Sequence, residues 1–234
     1  MNNPTQTPAT TSSLTAMSGP AWSRRVSWAA PPAFALVVLL HRNDPTDPMD
    51  LAGSTATWIW IHVVLLGALV LLAHAVRTLL DGLDGPAAGI ARALLPTALV
   101  TYAAFDSLVG LGTGILVEHA ETLGPDAERL AQHWWSVPAP ISWIAAAAQM
   151  LWVTVIAATA CAQSAHGNSR TLVATLAGLA VTFPLLHARP VGLVPVALLA
   201  AALWLHCAHA RTEAAGRRHA ASPEHPHRPP VETP

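Results

Sequence analysis

The chain contains no lysine, and it has few charged residues of any kind. Asp, Glu and Arg together make up only 11% of the 234 residues, and the formal net charge is −1. Because soluble domains contain about 25% charged residues, this composition argues against a soluble globular protein. It also excludes a basic surface for nucleic acid. The two cysteines, Cys161 and Cys207, do not indicate a disulfide framework.

The sequence also lacks the motifs of soluble enzymes. The segment from Gly110 to Gly114 is rich in glycine, but it has neither the preceding strand nor the lysine of a phosphate-binding loop. There is no G-x-S-x-G or H-E-x-x-H motif. No paired aspartates or Ser/His pair at one depth point to proteolysis within a membrane. The sequence therefore favours a non-enzymatic role.

Long apolar runs are the main feature that the sequence does contain. Hydrophobic residues make up 53% of the chain, and the mean hydropathy is +0.43. Because about 20 apolar residues cross the ~30 Å hydrocarbon core of a bilayer, we predict an all-α, polytopic bundle of six transmembrane helices. The predicted spans are 22–41, 57–75, 94–118, 141–163, 171–187 and 191–210, which together form a membrane domain over 22–210. The aperiodic segments 1–21 and 211–234 are predicted to be disordered tails.

Two prolines predict helix starts outside these apolar cores. Pro86 suits the first turn of a helix that leads into the third span, because proline is tolerated there. Pro125 precedes a short segment in which Leu130 and Trp134 lie four residues apart, on one side of a helix. Since tryptophan concentrates at the membrane boundary, we expect this segment to form an interfacial helix across the mouth of the bundle. An ordinary loop with aromatic anchors is the alternative.

The arginines are distributed unequally between the two sides of the predicted bundle. With six spans, the two termini and the second and fourth loops share one side, which holds nine of the twelve arginines. Cytoplasmic loops carry an excess of positive residues. We therefore predict a multi-pass protein of the cell membrane, with both termini in the cytoplasm. The acidic loop 42–56 and the loop containing Trp134 then face outward.

One acid, Asp106, lies near the middle of the third span. An ionised carboxylate at the centre of a bilayer costs at least about 2.5–3.5 kcal/mol, so Asp106 should face other helices, with the bulky apolar side chains facing lipid. Gly110 and Gly114 lie on the same face in a GxxxG spacing, which lets helix backbones approach closely. Their partner is either another helix of this chain, a second copy in a homo-oligomer, or another membrane protein.

A candidate intramembrane polar site can be assembled around Asp106. Gln149 lies at a similar depth on the fourth span and is the best-matched partner, while the helix of Asp106 supplies further polar side chains. A transporter usually has a second ionisable group at that depth, and none is evident. The site is either a proton or cation site in a transport path, or a hydrogen-bonded acid that fixes helix packing. Its predicted members are Asp106, Gln149, Tyr102, Ser107 and Thr113.

The twelve histidines raise a separate hypothesis. Haem in membranes is held by histidines from two helices, and neutral imidazole also binds copper or zinc. His62 lies clearly within an apolar span, whereas His41, His119 and His187 lie at helix ends. These four residues are the candidate haem or metal ligands. No tight ligand spacing occurs at mid-depth, so the alternative is that they are polar residues at the interface, and no cofactor is predicted.

Several segments resemble uncharacterised small multi-pass integral membrane proteins of high-GC bacteria. The resemblance implies an integral membrane protein without an assigned activity, and no catalytic residue is carried over from it. We therefore expect an integral membrane protein with a non-enzymatic role. The alternatives are a small proton- or cation-coupled transporter that uses Asp106, and a haem- or metal-binding redox subunit. The similar segments are Leu39-Leu40-His41, Asp44-Pro45 through Asp50, Trp58 through His62, and Tyr102 through Gly114.

Overall fold

The computed structural model describes residues 21–41, 47–136, 141–186 and 190–220. Within these ranges the secondary structure is helical and contains no strand, which confirms that the fold is all-α. The expected N-terminal tail lies outside the described residues except for residue 21, and the expected C-terminal tail lies outside them from 221 to 234. The last helix, however, continues to Ala220, so the first part of the segment 211–234 is helical.

Nine α-helices and three short turns make up the described part of the chain. A π-helical turn, Ser107–Leu111, joins α4 to α5, and 3₁₀ turns occur at Pro48–Leu51 and Phe183–Leu185. The helices are α1 (Ala21–Ser27), α2 (Ala30–Leu40), α3 (Thr55–Leu79), α4 (Pro86–Asp106), α5 (Gly112–Leu123), α6 (Pro125–Ser136), α7 (Ile141–Ala165), α8 (Arg170–Thr182) and α9 (Leu193–Ala220).

Four of the helical segments are long and apolar enough to cross a membrane. They are Thr55–Leu79, Pro86–Ala120, Ser142–Ala165 and Leu193–Thr212, and they correspond to the second, third, fourth and sixth predicted spans. This length and composition indicate a membrane-embedded protein. The first and fifth predicted spans correspond to the shorter apolar helices Arg25–Leu40 and Arg170–Leu185. At 1.5 Å per residue each rises only about 25 Å, which is less than the hydrocarbon core.

Proline explains where several of these helices begin. Pro86 is the first residue of α4, as the sequence predicts, and Pro125 is the first residue of α6. The first apolar run is divided into α1 and α2, with Pro31 and Pro32 in the first turn of α2. A proline ring would clash with the carbonyl four residues earlier inside a continuous helix. The break before α2 therefore follows from this proline pair.

The core of the bundle is built by helix pairs that lie side by side. Helix α4 packs most extensively against α7, α8 lies between α7 and α9, and α2 packs against both α3 and α9. The largest fully buried side chains include Leu65 and Leu69 of α3 and Trp152 of α7. Because α4 is held between α3 and α7, its interior face points at both neighbours. This arrangement positions Asp106, the last residue of α4.

Side-chain hydrogen bonds satisfy backbone carbonyl groups where α3 ends. The Gln163 side-chain amide donates to the Leu79 carbonyl at 2.5 Å, and its own oxygen accepts from Asn168 Nδ2 at 2.5 Å. Arg92 donates to the Leu80 carbonyl at 2.8 Å. The last carbonyls of a helix have no partner within the helix. These bonds therefore anchor the turn between α3 and α4.

The opposite end of the bundle is covered by α6 and the turn Pro48–Leu51; we call this the α6 end. Leu51, Trp58, Val117 and Ala131 form a small buried cluster that holds α6 against α5 and α3. The Gln132 amide also donates to the Asp47 carboxylate at 3.4 Å. The short helix that the sequence predicts after Pro125 is therefore present and packed over this end.

Candidate functional site

Asp106 faces the interior of the bundle, as the sequence predicts. It is 3% exposed and is the last residue of α4 before the π-helical turn. Val100, Leu108 and Ile115 of the same membrane segment are exposed, so the apolar side chains lie on the outside of the bundle. The segment thus keeps its acid inward and its bulky apolar residues outward.

The nearest charged or chargeable partner of Asp106 is His62 of α3. Nε2 of His62 lies 3.9 Å from Oδ1 of Asp106, and His62 is 4% exposed. The other ring nitrogen, Nδ1, is 2.8 Å from the Trp58 carbonyl oxygen. Because a carbonyl oxygen can only accept a hydrogen bond, Nδ1 carries the hydrogen. Nε2 is therefore the ring position that can gain or lose a proton, and it faces the acid.

His41 completes a compact group of rings beside this pair. It follows directly after α2 and is 3% exposed. Its ring centre lies 5.1 Å from that of His62 and 5.0 Å from that of Trp58. The Trp58 and His62 rings are 4.5 Å apart. We refer to His41, Trp58, His62 and Asp106 as the His–Asp cluster, in which α2, α3 and α4 each supply or position a member.

The π-helical turn is hydrogen-bonded to the His–Asp cluster through Trp58. The indole nitrogen of Trp58 donates to the Gly110 carbonyl oxygen at 2.7 Å, and Gly110 lies within the turn Ser107–Leu111. Such turns insert one extra residue into a helix and occur frequently at functional sites. This turn is not predictable from the sequence, since no proline or other local signal marks it. Here the turn directly follows Asp106, at the point where α3 contacts this buried acid.

Glycine is required where the membrane helices approach most closely. A Cβ atom at Gly110 would overlap the His62 ring, and one at Gly114 would lie 2.6 Å from Ile59 Cγ1. The GxxxG face predicted from the sequence is therefore in contact with α3 of the same chain. Association with a second copy or another membrane protein through these glycines stays a prediction, and it would have to use a surface that α3 already covers.

The other predicted members of the polar site have different positions. Tyr102 is buried and packs edge-on against Phe105 and Phe183, with ring centres 5.9 and 6.3 Å away. Thr113 is completely buried. Ser107, in contrast, is exposed, and its place in a polar site with Asp106 stays a prediction. It lies about 100° around the helix from Asp106, and turning Asp106 toward α3 directs Ser107 outward.

The sequence predicts that Gln149 pairs with the acid, but in the structure Gln149 does not pair with it. It is half-buried on α7, and among the described residues Asp106 has a polar contact only with His62. The expectation depended on depth along straight helices and ignored rotation around each axis. The sequence signal for the partner of Asp106 is His62, a histidine within the apolar segment of α3. From the sequence alone, His62 points to a separate hypothesis of a haem or metal site.

The four candidate haem or metal ligands are not brought together as a set. His41 and His62 contact each other, whereas His119 is exposed and its Nδ1 bonds to the Ile115 carbonyl at 2.8 Å. His187 lies outside the described residues. Axial imidazoles of one haem have the macrocycle between them, but these two rings touch edge to face. Across the parts of the chain that the structure describes, no group of three or more His, Cys, Asp or Glu has metal-binding spacing.

Several buried polar atoms at or near the site have no hydrogen-bond partner among the described residues. They include Oδ2 of Asp106, Oγ1 of Thr113 and Nε1 of Trp134, and the same holds for Nε1 of Trp152 and Nε2 of His206 elsewhere in the bundle. Buried polar groups are normally paired with protein or water. The acid is therefore only partly satisfied by the protein around it.

No protein-family model, curated protein or solved structure matches this chain. The geometry of the His–Asp cluster is consequently what supports a functional assignment.

Proposed function

We propose that the protein is a small proton-coupled transporter of the bacterial cell membrane, in which Asp106 and His62 bind the transported proton. It crosses the membrane six times, with both termini in the cytoplasm and the α6 end outside. The four long apolar helices support the membrane location. The arginine distribution supports the orientation, since nine of twelve lie on the side of the termini.

The two short helices complete the six spans in this arrangement. Arg25–Leu40 and Arg170–Leu185 are apolar, and both pack against full-length spans through α2 and α8. A short apolar stretch is accommodated by local thinning of the bilayer. Tags at each terminus, probed in intact cells, test the arrangement: both should be protected from impermeant reagents, and an external signal from either one contradicts it.

The observation that carries the proposed function is the incomplete pairing of a deeply buried acid. Asp106 is 3% exposed, its Oδ2 has no described partner, and its Oδ1 is 3.9 Å from His62. An acid that serves only to fix helix packing would be expected to have both oxygens hydrogen-bonded. The sequence offered no second ionisable group at this depth, but the contact with His62 supplies one.

The pair is suited to taking up and releasing a single proton. With Nδ1 of His62 committed to the Trp58 carbonyl, one proton can be placed on Nε2 or on Oδ1. Either placement gives a pair with no net charge: a carboxylic acid beside neutral imidazole, or a carboxylate beside imidazolium. Losing that proton leaves one net negative charge, which is costly in hydrocarbon. Proton loss therefore favours a change in the surroundings of the pair, and this is the coupling that a transporter needs.

Flux measurements on reconstituted protein test this proposal. Vesicles containing the protein and an internal pH dye are exposed to separate pools of amino acids, organic acids, sugars and inorganic cations. We expect at least one pool to drive proton movement that Asp106→Asn abolishes and His62→Gln reduces. Trp60→Phe provides a control, because Trp60 is 68% exposed on the outer face of α3. Proton movement that persists unchanged in Asp106→Asn contradicts the proposal, as does its absence with every pool.

A further inference from the structure

We infer that ordered water molecules bind along α5 between Asp106 and the α6 end, and that they connect the acid to that surface of the protein. This inference rests on the proposed function, because it names the route by which a proton reaches the His–Asp cluster. It is carried by the unpaired polar atoms of Asp106, Thr113 and Trp134.

The three atoms belong to, or lie against, the stretch of helix from Asp106 to Thr113. Asp106 ends α4, Thr113 is in the first turn of α5, and the Trp134 ring lies against Gly112. A Cβ atom built on Gly112 would be 4.0 Å from the Trp134 indole nitrogen. Seven residues of helix separate Asp106 from Thr113, which corresponds to about 10 Å along the axis. Hydrogen bonds of about 2.8 Å between oxygens would span this gap with about three water molecules.

The chemistry of these atoms suits water better than other ligands. Asp106 offers a carboxyl oxygen, Thr113 a hydroxyl that both donates and accepts, and Trp134 a donor only. A buried water typically makes about three hydrogen bonds to otherwise unsatisfied groups. Leaving such atoms without partners costs free energy. A chain of water molecules satisfies all three atoms without adding a charge.

On the other side of Asp106 the bundle is filled by large side chains. Tyr102 lies one turn earlier on α4 and packs against Phe183, which in turn stacks on Trp152 with ring centres 5.7 Å apart. On α3, Leu65 and Leu69 follow His62 and are completely buried. Trp152 supplies one unpaired polar atom on this side, whereas Thr113 and Trp134 each supply one toward the α6 end. The inferred water path therefore runs from the acid toward the α6 end.

Water-edited solid-state NMR on the full-length protein in lipid tests this inference directly. Magnetisation from water should reach the Thr113 side chain. Thr159 is the matched control, since it is equally buried but its hydroxyl donates to the Val155 carbonyl at 2.8 Å. We expect transfer to Thr113 and none to Thr159. Equal absence of transfer at both residues overturns the inference, whether or not Asp106 exchanges a proton.

A kinetic experiment provides the second test. After transfer into heavy water, the carboxyl group of Asp106 exchanges its proton for a deuteron, and infrared spectroscopy follows the rate. Thr113→Val and Trp134→Phe should each slow this exchange by about tenfold, because each removes a hydrogen-bonding group from the path. Thr159→Val and Trp60→Phe are the controls and should leave the rate unchanged. Exchange that is as fast in both test variants as in the wild type contradicts the water path while leaving the proton site itself intact.

Discussion

Nε2 of His62 lies 3.9 Å from Oδ1 of Asp106 inside the helix bundle, and neither residue is more than 4% exposed. The two residues come from different membrane helices, α3 and α4. At this separation the pair is slightly too long for a direct hydrogen bond, but a small movement of either helix would form one. The contact is therefore suited to change with the position of a proton.

Energetic coupling between the two residues is the first prediction. Asp106→Asn and His62→Gln should each alter the free energy of unfolding, and the double variant should differ from the sum of the two by about 0.5–3 kcal/mol, the range seen for residues in contact. Unfolding in detergent, followed by circular dichroism, measures the three values. Strict additivity would mean that the two side chains do not interact.

Replacing Gly110 should disturb the same contact from the other side. Gly110→Ala places a methyl group against the His62 ring, and overpacking of this kind typically costs about 1–3 kcal/mol. Gly67→Ala is the matched control, because a Cβ atom at Gly67 meets nothing within 4 Å. Thermal unfolding should be lowered in the first variant and unchanged or slightly raised in the second. Equal midpoints for the two variants would show that the glycine contact is not close in solution.

The indole of Trp58 provides a third prediction. Trp58→Phe removes the donor to the Gly110 carbonyl and should cost about 1–3 kcal/mol, because a buried acceptor is left without its partner. Trp60→Phe, two residues away on the exposed side of α3, should cost almost nothing. Chemical unfolding of both variants gives the comparison. A loss that is no larger for Trp58 than for Trp60 would contradict the role assigned to the π-helical turn.

The fourth prediction concerns the turn between α3 and α4. Gln163→Leu removes the bonds to the Leu79 carbonyl and to Asn168, so we expect a loss of about 1–3 kcal/mol. Gln149→Leu is the same substitution on the same helix, which makes it the control, and it should stay within about 0.5 kcal/mol of the wild type. If Gln149→Leu proves the more damaging variant in thermal unfolding, Gln149 has a partner that the structure does not place there.

Local signals allowed much of the fold to be predicted. Apolar length marked the four long helices, and Pro86 and Pro125 marked the starts of α4 and α6. The inward orientation of Asp106 followed from the cost of exposing an acid to lipid. These features depend on residues close together in sequence or on a single physical preference, so one chain is sufficient to show them.

The pairing within the site was not predictable in the same way. Which residue contacts Asp106 depends on the rotation of α3 relative to α4, which depth along the helix axis does not show. The π-helical turn, Ser107–Leu111, changes that rotation again for the residues that follow it. Tertiary packing sets these angles, and no spacing of residues within one helix encodes them.

The proposal that Asp106 exchanges a proton is tested most directly by infrared spectroscopy of the protein in lipid. The carbonyl stretch of a protonated carboxyl group should be present at the acidic end of a pH titration, decrease reversibly as the pH is raised, and be missing throughout in Asp106→Asn. His62→Gln should shift the pH at which the band changes. A band assigned to Asp106 that stays constant across the whole pH range, or no such band at any pH, would contradict the account.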